Sequence, residues 1–87
     1  MSHLQHQKKI INRVRRLQGQ MNAVHEAVTS DEVSCTAVLQ QVAAIRGAVN
    51  GLMNELIEEH LKSHVLTGDF NEEELTSFLD ILKKYSH

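Results

Sequence analysis

Proline and tryptophan are absent from this chain of 87 residues, which has only three aromatic residues, four glycines and one cysteine. With no proline, nothing of that kind breaks a helix from within. Leu, Val, Ala, Glu, Gln and Lys abound, so the composition predicts an all-α protein and gives strands little support. Without tryptophan and with one tyrosine, stacking of bases on aromatic rings is disfavoured as a mode of nucleic-acid binding. The single Cys35 excludes an intrachain disulfide framework and suits a reducing compartment. No apolar run approaches the roughly eighteen residues of a membrane span, and MSHLQHQKK lacks the apolar core of a signal peptide. The expectation is a cytoplasmic protein without a membrane partner. Glycine-rich phosphate loops, nucleophile motifs, helix-turn-helix spacing and zinc-finger spacing are also missing. The sequence therefore offers no enzyme, and any DNA binding uses an unusual surface.

Acid is missing from one region as well. Residues 1–25 hold Lys8, Lys9, Arg13, Arg15 and Arg16 and no Asp or Glu, a charge of +5; residues 26–87 hold four bases against eleven acids, a charge of −7. Such asymmetry points to a polyanionic partner, nucleic acid above all, with a merely solvated basic face as the alternative.

What is present is helical periodicity. The chain reads as one small domain over residues 1–87, a size at which a monomer buries little and oligomerisation is a natural remedy. Helix 1 is expected from about Gln5 to Val28, with Ile10, Val14, Leu17, Met21, Val24 and Val28 as an apolar seam. Lys9, Arg13 and Arg16 share another face, and Gly19 is a weak point where a second backbone has room to approach. After the turn at Thr29–Glu32, Ser34 is placed to cap helix 2, expected over about 35–65. Its two apolar stripes are too wide for one neighbour. Gly47, Ala48 and Gly51 lie near its middle, where small side chains let helices close on one another. Gly68 reads as a stop, Asn71 as an N-cap, and helix 3 as running over about 71–85.

Candidate metal ligands lie only at the two ends of helix 2. His60 and His64, one turn apart, direct two imidazoles the same way. Cys35 begins the helix, and at about 1.5 Å rise per residue it lies roughly 37 Å from His60. One chain cannot bring them to a single ion, whereas an antiparallel pair of helices, related by a two-fold axis near residues 47 and 48, can. His3 on the N-terminal arm is a fourth candidate and His6 an alternative; removal of Met1 ahead of Ser2 would add a terminal amine. One sulfur with several imidazoles is a borderline donor set able to hold Ni(II), Co(II), Zn(II) or Cu(II). A buried, inert thiol is the alternative for Cys35, and Glu58 and Glu59 are either a solvated face or outer-shell partners of a ligating imidazole. His25 and His87 are assigned no role.

Three stretches, RVRRLQGQ at 13–20, the cysteine at 35, and AVLQQVAAIRGAVNGLMNELIEEHLKSH at 37–64, closely resemble the CsoR/RcnR family of bacterial metal- and formaldehyde-responsive transcriptional repressors. The likeness covers most of residues 8–64. It implies a three-helix protomer, an antiparallel four-helix bundle in the homodimer and a disc-like homotetramer. It also implies binding to double-stranded operator DNA that is lost when the effector binds. Copper sensors of the family carry cysteine where this chain has His64, and its formaldehyde sensors carry proline where this chain has Ser2. MSH followed by Cys35, His60 and His64 is most similar to the nickel- and cobalt-responsive RcnR branch, whose members control efflux. By that likeness the metal set is His3, Cys35, His60 and His64, and the candidate DNA contacts are Lys9, Arg13, Arg15 and Arg16. The segment before RVRRLQGQ is one residue shorter than in those relatives and the turn before Cys35 one longer, which keeps His6 and a zinc response open. The other readings are a formaldehyde-responsive repressor using Cys35 and the terminal amine and, outside the class, a helical metal-binding adaptor that does not bind DNA.

Overall fold

The computed structural model describes residues 7–65, 67, 68 and 71–85. Among these the chain is all-α: α1 (Lys8–Val28), α2 (Cys35–His60), a π-helical turn over Leu61–Val65, and α3 (Glu72–Tyr85), with no strand. No helix among the described residues is long and apolar enough to cross a membrane. Two compact units divide the chain, Met1–Leu56 and Ile57–His87.

The helix ends follow from capping chemistry. Gln7 is extended, with φ −95° and ψ 91°, and caps no amide through its side chain, so α1 begins at Lys8; Gln5 lies outside the described residues. At the other end Thr29 Oγ1 donates to the carbonyls of His25 and Glu26, both at 3.0 Å, which satisfies acceptors the helix leaves open. Within the connection the Glu32 amide donates to Ser30 Oγ at 3.1 Å. Ser34 Oγ accepts from the Ala37 amide at 3.1 Å, the N-cap bond expected of it. Asn71 does the same for α3, its Oδ1 accepting from the Glu74 amide at 2.7 Å, with Glu72, Glu73 and Glu74 in the first turn and Lys83 and Lys84 in the last. Gly68 has φ +78°, the left-handed conformation that suits glycine after a helix.

In the first unit α1 and α2 form an antiparallel hairpin. Lys9 meets Glu55 and Arg13 lies on Gly51, two pairings each centred on residue 32 in the connection. Ile10, Ala27 and Ile45 are buried between the helices. The rest of the apolar seam is not: Met21 is 55% exposed, Val28 61%, Leu39 67%, Val42 48% and Val49 47%. Two helices cover one side of each other, and Val14, Met21 and Val28 of α1 and Leu39, Val42 and Val49 of α2 remain exposed. Gly19 and Gly47 have nothing within 4 Å of where a Cβ would stand, so neither marks a close helix approach in this chain, and the small residue that is filled is Gly51. In the second unit Phe78 of α3 is buried, while Leu79, Ile81 and Tyr85 are exposed.

Candidate metal site and basic face

His60 closes α2, and His64 lies in the π-helical turn beyond it. An i→i+5 turn is wider than an α turn and is frequent at functional sites. Here it separates two residues four apart, and their ring centroids stand 5.1 Å from each other with planes tilted by 37°. The Phe78 ring covers His60, with centroids 4.3 Å apart and a tilt of 30°. Phe78 is itself only 8% exposed, so the His60 ring rests against a fixed wall. Given metal–nitrogen bonds of about 2.0–2.1 Å, two imidazoles on one ion have centroids about 4.5 Å apart at a right angle and about 5.2 Å apart at the tetrahedral angle. The observed pair fits that requirement. Alongside it Glu58 pairs with Lys62 at 2.9 Å and Glu59 accepts from Ser63 Oγ at 2.7 Å.

Cys35 is the first residue of α2 and is exposed, so it is not a core thiol. It stands at the other end of the helix from His60, and among the described residues no three His, Cys, Asp or Glu side chains gather as an ion-holding group. His60 and His64 are brought together within the chain; Cys35 is not brought to them. His3, His6 and the terminal amine, the remaining candidates, lie outside the described residues, as does His87. His25 is exposed in the last turn of α1.

On the basic side, the four candidates fall into two pairs. Lys9 Nζ and Arg13 Nη2 each stand 3.7 Å from the same oxygen, Oε1 of Glu55. Arg15 and Arg16 are exposed and make no ion pair among the described residues. The role of Glu55 and Gly51 beside Arg13 is not visible from spacing within either helix. It requires the hairpin register, which the centre of the connection at residue 32 supplies. Phe78 beside His60 has no comparable signal, because residues 57–60 and α3 are separated by a turn whose geometry no local pattern sets.

Comparison with known proteins places this arrangement. Residues 6–84 match the family described as metal-sensitive transcriptional repressor. The chain is 44% identical over 89 residues to the transcriptional repressor RcnR of Salmonella arizonae, with 98% of each chain covered. It is 42% identical over 90 residues, again with 98% of each covered, to an uncharacterized protein from the bioA 5′ region of Serratia marcescens. Among solved structures it is similar to a variant of the formaldehyde-responsive regulator FrmR from Salmonella enterica serovar Typhimurium, with TM-score 0.72 and 39% identity over 91% of this chain and 88% of that one. A match over 79 of 87 residues, with both sequence and fold in agreement, leaves one assignment: the chain belongs to the metal-sensitive transcriptional repressors of the CsoR/RcnR family, whose members are not enzymes.

Proposed function

We propose that residues 1–87 are a single cytoplasmic repressor domain that binds operator DNA and releases it on binding Ni(II) or Co(II), and that it controls metal efflux. The observation that carries this reading is the His60–His64 pair, spaced for one ion yet lacking a third donor among the described residues of its own chain. Cys35 of a second protomer supplies that donor when two α2 helices lie antiparallel, and His3 or His6 completes the set. The exposed Met21, Val28, Leu39, Val42 and Val49 give the second copy an apolar face to cover, consistent with a homodimer and with a homotetramer of two dimers. The resemblance of MSH, Cys35, His60 and His64 to the nickel- and cobalt-responsive branch supports nickel or cobalt as effector; the borderline donor set also admits zinc.

In this mechanism Arg15 and Arg16, with Lys9 and Arg13, hold the phosphates of metal-free operator DNA, and operator affinity falls steeply with salt. Ordering the N-terminal arm about the metal displaces α1 and takes the basic face out of register with the phosphates. Linkage requires operator DNA to weaken metal binding by the same factor. Titration of nickel or cobalt into the protein on its own upstream sequence tests this: the complex is expected to dissociate at saturation, and its survival would refute the reading. A second reading, aldehyde sensing through Cys35 and the terminal amine, is favoured by the exposed thiol and by likeness to a formaldehyde-responsive regulator. Formaldehyde and each metal, compared in one DNA-release assay, separate the two; a protein that binds metal but never shifts the DNA is the adaptor instead.

A further inference from the structure

The basic face of α1 is not uniform, and the difference is built into α2. Glu55, 23% exposed, sets one carboxylate oxygen between Lys9, 80% exposed, and Arg13, 35% exposed. Gly51 stands one turn before Glu55 on the same side of α2. A Cβ there would come within 2.7 Å of Arg13 Nη1 and 3.6 Å of its Cζ, so the guanidinium lies against the helix in space that only glycine leaves open. Of the three glycines in α1 and α2, Gly51 alone has a neighbour of this kind. Floor and counter-charge together make a seat for Arg13, with the largely solvated Lys9 at its rim. A carboxylate oxygen facing two cations takes the place that a phosphate oxygen would take.

We propose that Gly51 and Glu55 form an internal seat that withholds Arg13 and Lys9 from DNA, so that full engagement of the operator requires Arg13 to leave α2. The inference rests on the operator-binding reading and adds to it an autoinhibitory contact. In the free protein Arg15 and Arg16 meet phosphate first. Lys9 and Arg13 follow only where phosphates outcompete Glu55, and each phosphate then neutralised steepens the dependence of log affinity on log salt by about 0.9.

The test is the affinity of metal-free, full-length protein for a labelled duplex of its own upstream sequence, measured across a range of salt concentrations. Glu55→Gln is expected to tighten binding about three- to tenfold and to steepen the salt slope by about one to two for each engaged protomer. Gly51→Ala, which forces the Arg13 guanidinium to shift away from α2 and leaves the carboxylate in place, is expected to act in the same direction by about half as much in slope. Glu26→Gln, the same change of net charge on the exposed surface of α1, leaves the slope unaltered. Should Glu55→Gln weaken binding, or match Glu26→Gln, Glu55 would be a mere surface charge or an aid to DNA contact, and the seat would be refuted; opposite effects of Glu55→Gln and Gly51→Ala would refute it too. Circular dichroism checks helicity, and if Glu55→Gln does not fold, Gly51→Ala carries the test, because alanine favours a helix over glycine. Arg16→Ala separates the two levels: if it weakens binding while the Glu55 and Gly51 variants do nothing, only the seat fails. If it has no effect, or the wild type does not bind, the operator-binding reading itself fails.

Discussion

At one end of α2 the Cys35 thiol is exposed, on the first residue of a helix whose cap, Ser34 Oγ, secures the Ala37 amide. At the other end two imidazoles are half-buried, held 5.1 Å apart by a π-helical turn and walled on one side by Phe78. On the proposed ligand set, the two ends carry donors for one ion in opposite states of preparation. The imidazole pair is oriented by its own chain, so the rings have little rotational freedom left to lose. The thiol is presented but not enclosed. On the proposed ligand set, assembly supplies what folding of one chain does not, and response to the ion is tied to the pairing of protomers.

The strongest way to break that contrast is to remove one end at a time. Cys35→Ala and His60→Ala are each expected to lower metal affinity by at least about 100-fold, beyond the 10–100-fold typical of losing an outer-shell partner, while leaving metal-free DNA affinity within about twofold. Alone, either result fits a site of any composition. Mixing the two variants after subunit exchange decides the matter. Half of the dimers then pair one chain of each kind and hold one intact site of two, so about a quarter of the sites return if thiol and imidazoles come from different chains. No recovery in metal titrations of the mixture would place all donors on one chain and remove the distinction between the helix ends.

A smaller effect tests the preparation of the imidazole end. Phe78→Leu keeps the buried position apolar but replaces a flat wall with a branched one against His60. Metal affinity is expected to fall about tenfold, with a stability loss of about 1–2 kcal/mol, at the mild end for shrinking a buried side chain. Isothermal titration and thermal melting measure the two. A stability loss without a change in affinity would mean that Phe78 packs α3 and does nothing for the His60 ring.

Much of this was legible in the sequence because it is local. The caps at Ser34 and Asn71, the left-handed Gly68 and the exposed helix-start cysteine each depend on a few neighbouring residues. Features that depend on register were not legible from spacing alone. Gly51 reads as a point of helix approach, and in the hairpin it is the floor beneath Arg13; Gly19 reads the same way and has no neighbour at all. Met21 and Val28 belong to the apolar seam of α1 by spacing yet are exposed, because α2 of the same chain covers only part of that seam, Ile10 above all. The π-helical turn between His60 and His64 has no signature in residue identity. Its i→i+5 bonds arise where the chain leaves the regular winding of α2, and the periodicity of four and three carries no mark of it.

The smallest expected effect compares the two N-caps that brace these ends. Ser34→Ala and Asn71→Ala each remove one bond to a helix amide, a loss of about 1 kcal/mol that lowers the melting temperature by about 4–8 °C in a domain of this size. The Asn71 bond is the shorter, 2.7 Å against 3.1 Å, and it starts the helix that carries Phe78, so Asn71→Ala is expected to cost more stability. On metal binding the order reverses in kind. Fraying the first turn of α2 spreads the Cys35 sulfur over more positions, whereas loosening the start of α3 still leaves Phe78 six residues inside the helix. Ser34→Ala should therefore lower metal affinity a few-fold for less loss of stability, and Asn71→Ala should do the opposite. Equal ratios of the two losses in paired titrations and melts would mean that both caps act only through global stability, and that the thiol end is no less prepared than the imidazole end.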